Sequence, residues 1–213
     1  MDDKNVNSCL MLAADLITPV SLSSLFDSGD LKDSGIEYDS HITIMYAGGK
    51  MLVKAELLGN IEKVDHTFIT EFLKENSSED LSDPYPVLEI FELGNFENDS
   101  GYVVLRLKQD APMYDRLATL NKGLQEAYGV VSDFGSYKPH LTLAELEPGL
   151  TDKYLDDSKL HALLESSFVR FEDLILSYSE VGIKEYKVHN LTHYRAVDRW
   201  FRIRDLRREA DEY

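Results

Sequence analysis

The chain has 213 residues, 43% of them hydrophobic, so it can bury a sizeable core as one domain or as two closely packed lobes. Its 39 acidic residues outnumber 22 lysines and arginines, and the formal net charge of −17 argues against a nonspecific binder of long RNA or DNA. No apolar run approaches the roughly 20 residues that a bilayer span requires, so we expect no membrane partner.

The first residues, Met1 to Lys4, are polar and acidic and do not have the pattern of a secretory signal. Cys9 is the single cysteine, which excludes an internal disulfide and suits a reducing cytosol. We therefore expect a cytoplasmic protein. Because Cys9 lies in an apolar run, we expect it to be buried and inert.

The first part of the chain alternates β-rich runs with a short helical pattern. Thr18 is a suitable helix cap and Pro19 a suitable first helical residue, while the glycines and acids of residues 28–39 indicate a surface loop. The predicted elements are a core strand 6–16, a helix from 19 to 26, the loop 28–39, a strand 41–46 and a turn 47–50.

The middle of the chain contains the two strongest helical patterns. Apolar residues recur at helical spacing in 61–75, and again in 112–128, which Pro112 begins and Gly129 ends. The other elements predicted here are an acidic loop 76–86 and an antiparallel hairpin of strands 87–93 and 102–107.

The last third of the chain predicts a strand 140–146, a helix 151–166, a hairpin of strands 168–178 and 181–188, and an arginine-rich ending, 195–213. The order strand, helix, strand occurs twice, which indicates an internal duplication. Since hairpins abound and helices are segregated from strands, we predict an α+β fold of two pseudo-symmetric antiparallel lobes with outer helices and a central cleft. The lobes would occupy 1–194.

Two strands share one unusual pattern: a histidine, an apolar residue, a threonine and another apolar residue. In an extended strand, side chains alternate between the two faces. His41 and Thr43 therefore share one face, and His140 and Thr142 share one face of the second strand. An aromatic residue precedes each histidine by three positions. A lone motif of this kind would carry little weight, but the second copy in equivalent context favours a functional site.

At these residues the sequence resembles the 2H phosphoesterase superfamily, which includes LigT-like 2′-5′ RNA ligases, 2′,3′-cyclic nucleotide phosphodiesterases and phage enzymes that degrade cyclic-oligonucleotide immune signals. The resemblance implies a bilobal fold, with His41, Thr43, His140 and Thr142 as catalytic residues. Pro139 before the second motif also fits the family. The gap between the motifs is longer than is common there, which suggests an insertion around 76–86.

Two imidazoles on opposite sides of a phosphorus can take a proton from the nucleophile and give one to the leaving oxygen. Threonine hydroxyls on the same face can donate hydrogen bonds to the phosphate oxygens. None of these roles requires a metal or another cofactor, and we expect none. Lys138 is a candidate phosphate contact, while Tyr38 and Tyr137 are either substrate-stacking or core residues. His189 and His193 have a metal-ligand spacing but no evident third ligand.

The leading hypothesis is a metal-independent enzyme that cleaves a 2′,3′-cyclic phosphate, a 2′-5′ linkage or a small cyclic oligonucleotide. Its partner would be a small nucleotide or a short oligonucleotide, and we expect a monomer. One alternative is a phage anti-CBASS enzyme that destroys cyclic di- or trinucleotide signals. Others are a nucleotide-binding module without turnover, and an interaction protein that uses the arginine-rich ending, which could also form a basic flap over an anionic ligand.

Overall fold

The computed structural model describes residues 6–47, 84–96, 101–111, 113–128, 136–180 and 187–190. Its strands are β1 (Val6–Ile17), β2 (Leu31–Ile36), β3 (His41–Ala47), β4 (Tyr85–Pro86), β5 (Phe91–Asn95), β6 (Tyr102–Leu107), β7 (His140–Leu146), β8 (Phe168–Glu180) and β9 (Lys187–Asn190). Its α-helices are α1 (Val87–Ile90), α2 (Tyr114–Tyr128), α3 (Thr151–Leu155) and α4 (Ser158–Glu165), and Leu22–Leu25 forms a 3₁₀ turn.

Hydrogen bonds connect the nine described strands in the order β4-β8-β1-β3-β7-β6-β5, with β2 also on β7 and β9 on β8. Every pair is antiparallel. One half contains β1, β3 and β8, the other contains β5, β6 and β7, and the halves join through a single registered pair, Ile42 opposite Leu141. The predicted α+β class with two antiparallel halves is confirmed.

The two halves share the same strand pairing, although the first lacks the helix that the predicted duplication requires. In the first half β1 pairs with β3, and in the second half β6 pairs with β7 in the same antiparallel sense. Each motif strand therefore has a partner from its own half on one side and the other motif strand on its other side. Both motifs consequently lie at the middle of the sheet.

The main hydrophobic core covers one face of the sheet. Ile42, Ile44, Leu141 and Leu143 point into it and are at most 1% exposed, as the alternation of the motif strands predicts. Burying such a side chain contributes about 1.5–3 kcal/mol each. The helix α2 packs there too, and Asn121 on it donates a 2.7 Å hydrogen bond to the carbonyl of Ile44.

Two predictions for residues 19–39 are wrong. The helix over 19–26 is reduced to the 3₁₀ turn Leu22–Leu25, whose cap Ser21 makes no side-chain cap bond, although Leu22 and Phe26 are buried as expected. The loop 28–39 contains β2, which pairs with β7 at Leu31 and Ile36. Tertiary pairing with the edge of β7 overrides the loop-forming composition of this stretch.

The strand predicted over 87–93 begins later than expected. Residues Val87–Ile90 form the single helical turn α1, and the strand begins at Phe91. The end of the predicted loop 76–86 is also extended, since Tyr85 and Pro86 pair with β8. The backbone N–H of Val87 donates to the carbonyl of Ser167, the residue before β8.

The helix predicted over 151–166 is two helices. They are separated at Asp156 and Asp157, and the Asp157 carboxylate caps α4 by accepting from the backbone N–H groups of Lys159 (2.6 Å) and Leu160 (3.3 Å). Aspartate is a better helix cap than helix interior, which explains the break. Among the described residues, the His161 side chain makes one local hydrogen bond, to the carbonyl of Leu155, in agreement with the structural role expected of it. Because a carbonyl only accepts, the Nε2 atom of His161 is the donor.

The remaining predicted elements that the structure describes are confirmed: β1, both motif strands, the hairpin of β5 and β6, the helix α2, and the antiparallel pairing of β8 with β9. The helix 61–75, the loop residues 76–83, the turn residues 48–50, Pro112, Gly129, His193 and the ending 195–213 lie outside the described residues. No helix within the described ranges has the length and apolar character that a membrane crossing requires.

Candidate functional site

Each motif histidine is the first residue of its strand, β3 or β7. The four motif residues His41, Thr43, His140 and Thr142 are all half-buried, whereas the apolar residues between them are buried in the core. The polar and apolar residues therefore lie on opposite faces, as the period of two predicts. We call the face that carries the four motif residues the histidine face.

The register between the motif strands sets the geometry of the site. Ile42 lies opposite Leu141 in an antiparallel pair, so His41 comes opposite Thr142 and Thr43 opposite His140. The two histidines are then diagonal neighbours, whose Cβ atoms in a regular antiparallel pair are about 7–8 Å apart or somewhat less. The charge of His41 lowers the pKa of His140, which agrees with this proximity. The strands thus bring together all four predicted catalytic residues.

Both imidazoles are oriented by the chain that leads into their strands. The Nδ1 atom of His41 is 2.7 Å from the carbonyl oxygen of Asp39, and Nδ1 of His140 is 2.8 Å from that of Lys138. A carbonyl oxygen only accepts, so Nδ1 carries the hydrogen in each ring. Each Nε2 is then the atom that takes up or delivers a proton on the histidine face.

The segments before the two histidines are themselves hydrogen-bonded to the sheet, the first to β7 and the second to β6. Glu37 accepts from the backbone N–H of Asp39 at 2.9 Å, and the N–H of Glu37 donates to the carbonyl of Leu143 on β7. In the second segment the carbonyl of Pro139 accepts from the N–H of Leu107. The carbonyls that orient the imidazoles are therefore held by the sheet.

His140 has a distinct environment. Burial lowers the pKa of its imidazole, the hydrogen bond to Lys138 opposes this shift, and the charge of His41 lowers the pKa further. Phe96 contacts this imidazole: the two rings are edge-on, with centroids 4.6 Å apart and planes at 85°. The neutral form of His140 is therefore favoured more than that of an imidazole in water.

Phe96 is supported by Tyr102, whose ring lies 5.7 Å from it in an edge-on arrangement. The Tyr102 hydroxyl is hydrogen-bonded to Glu145, which forms a 3.1 Å ion pair with Lys32. Sequence analysis missed Phe96, since it lies in a turn-rich stretch and meets His140 only through the tertiary fold. No local pattern indicates that contact.

The histidine face differs on its two sides. Beside His41 it is apolar, because Met11, Ala13 and Ile175 form a small separate buried cluster with Cys9 packed against it. The Sγ atom of Cys9 is 4.0 Å from the Thr43 hydroxyl, and burial raises the pKa of the thiol to about 11. Cys9 is therefore an unreactive thiol, as expected.

The three candidate binding residues have different surroundings. Tyr38 and Tyr137 pack against the main core cluster, which favours their interpretation as core residues. The Tyr137 hydroxyl also donates to the carbonyl of Thr43 at 3.2 Å, so it ties the two motif strands together. Burial raises the pKa of Tyr137. The Lys138 side chain is exposed and adjacent in sequence to His140.

Within the described residues, no three histidine, cysteine or acidic side chains are grouped so that they could hold a metal ion. His189 lies in β9, and its sequence partner His193 is outside the part of the chain that the structure describes. The spacing of His189 and His193 therefore remains an observation of the sequence alone.

No protein-family model and no curated protein matches the chain. Among solved structures, it is similar to E. coli LigT complexed with 3′-AMP, with 16% identity over 87% of this chain and 95% of that one, and a TM-score of 0.43. The chain is also similar to a protein described as a phosphoesterase, with 13% identity over 85% of this chain and 96% of that one, and a TM-score of 0.41. A third similar structure is Kluyveromyces marxianus Usb1 with uridine monophosphate, with 13% identity over 88% of this chain and 99% of that one, and a TM-score of 0.38.

Because all three TM-scores lie below 0.5, the case for function rests on the register of the motif strands and the surroundings of the histidines.

The contact with Phe96 predicts a measurable change in the titration of His140. The substitution Phe96→Ala exposes the His140 imidazole to water, so the pKa of His140 should rise towards about 6.5, the value of an unperturbed imidazole. NMR titration of the imidazole resonances measures it. The matched control is Phe168→Ala, which removes a phenylalanine that is 42% exposed on β8. An unchanged His140 titration in Phe96→Ala would show that the ring contact does not set this pKa.

Proposed function

We propose that the chain is a 2H phosphoesterase that cleaves a phosphodiester of a nucleotide by acid/base catalysis with two histidines and without a metal ion. The observation that carries this proposal is the pairing of Ile42 with Leu141. A regular continuation of that register would make His41 and His140 diagonal neighbours on one face, and the Nδ1 contacts to carbonyl oxygens leave Nε2 of each ring for proton transfer. A phosphate that sits between them is within reach of both rings.

The reaction requires one neutral and one protonated imidazole. We assign His140 as the general base, because burial and the nearby charge of His41 favour its neutral form. Its Nε2 accepts the proton of the attacking hydroxyl or water. The Nε2–H of His41 donates a proton to the departing oxygen as the phosphorus–oxygen bond breaks, so the pair ends with its protonation states exchanged.

The threonines supply the remaining part of the mechanism. Extended regularly from the pair of Ile42 with Leu141, the antiparallel register would put Thr142 opposite His41 and Thr43 opposite His140, and each hydroxyl next to the imidazole of the other strand. Their O–H groups can donate to the non-bridging phosphate oxygens, where charge accumulates in the transition state. They also hold the phosphate between the two imidazoles.

The substrate class is a small nucleotide or a short oligonucleotide with a 2′,3′-cyclic phosphate, a 2′-5′ linkage or a small cyclic backbone. A chain of net charge −17 repels a long polyanion but can hold a few phosphates where local donors converge. The two histidines could act on any of these linkages, because cleavage of each linkage replaces one oxygen on the phosphorus by another in line.

Removal of either histidine should abolish turnover. His41→Ala and His140→Ala each remove a proton-transfer group, with an expected loss of about 10²–10⁴-fold in kcat. Cleavage of 2′,3′-cyclic AMP, 2′-5′ oligoadenylate and a 3′,3′-cyclic dinucleotide measures it. His161→Ala is the matched control, because that exposed histidine bonds only the carbonyl of Leu155 among its described contacts. Full activity in either motif variant, or loss of activity with EDTA, contradicts the mechanism.

The assignment of base and acid has its own test. A nucleoside 3′-(4-nitrophenyl) phosphate with a free 2′-hydroxyl has a leaving group that needs no proton. On this substrate His41→Ala should recover most of its rate, whereas His140→Ala should stay inactive, because the 2′-hydroxyl still needs a base. Release of nitrophenolate is the readout. Recovery in His140→Ala instead would reverse the two roles.

A further inference from the structure

The histidine face continues beyond the motif strands onto β6 and β5. Arg106 lies directly opposite His140, and Glu92 lies directly opposite Arg106. Residues opposite each other in antiparallel strands point to the same face. The neighbours of Arg106 along β6, Leu105 and Leu107, are buried in the main core, so its own side chain belongs to the histidine face.

The Arg106 guanidinium does not extend freely from the sheet but lies across Gly94 on β5. A Cβ atom added at Gly94 would be 2.7 Å from both Nε and Nη2 of Arg106 and 2.8 Å from Cζ. Glycine inside a strand weakens the sheet, and it is typical of places where another group approaches closely. The missing side chain at Gly94 thus provides the room in which the guanidinium rests.

The ion pair of Arg106 with Glu92 is weak. Nε is 3.2 Å from Oε1 of Glu92, yet its N–H is not aligned for a hydrogen bond, and it has no other acceptor among the residues that the structure describes. The two side chains are 41% and 55% exposed, and pairs this exposed contribute little to stability. A phosphate oxygen is a better partner, because it accepts charge-assisted hydrogen bonds from two guanidinium nitrogens at once.

We propose that Arg106, resting over Gly94, binds a phosphate of the substrate other than the one between the histidines. This inference rests on the proposed function and narrows its substrate. The guanidinium lies over β5, two strands from β7, a separation of roughly 10 Å from strand to strand. One phosphate cannot occupy both places, so the substrate carries at least two phosphates: a short oligonucleotide or a small cyclic oligonucleotide, rather than a mononucleotide 2′,3′-cyclic phosphate.

The test compares two ligands that differ only in the second phosphate, 3′-AMP and adenosine 3′,5′-bisphosphate, by calorimetry on the intact chain. The wild type should bind the bisphosphate more tightly by about tenfold or more, the size expected of charge-assisted hydrogen bonds. Arg106→Ala should lose this preference with little change towards 3′-AMP. Lys122→Ala is the control for net charge, since Lys122 is 79% exposed on α2 and pairs with Glu126.

A second variant moves affinity in the opposite direction. Glu92→Gln removes the competing carboxylate and should strengthen bisphosphate binding, which a merely structural ion pair would not do. Equal weakening of both ligands in Arg106→Ala, or a wild type without preference, overturns the subsite. Binding does not depend on turnover. If the histidine variants refute the enzyme while the bisphosphate preference remains, only the proposed function fails.

Discussion

The contact between β3 and β7 is made at one registered pair, Ile42 with Leu141, and the placement of both motifs follows from it. Both side chains are fully buried, so each contributes about 1.5–3 kcal/mol to holding the two halves together. A slip of one residue in either strand would turn its histidine into the core and expose the apolar residues. Burial of Ile42 and Leu141 therefore determines the register, and the register determines the site.

Hydrogen bonds then convert a register of strands into oriented imidazoles. The carbonyls of Asp39 and Lys138 fix Nδ1 of each ring, and those carbonyls belong to segments that are hydrogen-bonded to neighbouring strands. Both histidines carry a hydrogen on Nδ1, but their surroundings differ. Phe96 covers one side of His140, whereas an apolar cluster that includes Met11 lies beside His41. The pseudo-symmetric frame thus supports two unequal chemical roles.

Local sequence patterns predicted the parts of the site that depend on the period of a strand. The alternation around His41 and His140 gave both motif strands, their buried face and their polar face, and the stripe of 112–128 gave α2. The turn-rich stretch before Gly101 gave the hairpin of β5 and β6. Gly101 has a φ of +81°, and a Cβ there would strike the carbonyl of Leu146, so glycine is required at this turn.

The parts that could not be predicted depend on distant partners. The strand β2 has the composition of a loop and is extended because it pairs with β7. Asp156 ends one helix and Asp157 caps the next, whereas the apolar pattern continues across both. Phe96 has no pattern that links it to His140. Arg106 does have a local pattern, since it alternates with the buried residues of β6. Its position opposite His140, however, can be known only once the order of the strands is known.

The central claim is that two imidazoles contact one phosphate, and an NMR titration with a nucleoside 3′-monophosphate tests it most directly. The account predicts that the ring resonances of His41 and His140 shift together and saturate with the same dissociation constant and a stoichiometry of one ligand per chain. A shift of only one ring, or two rings that saturate at different ligand concentrations, would contradict the account.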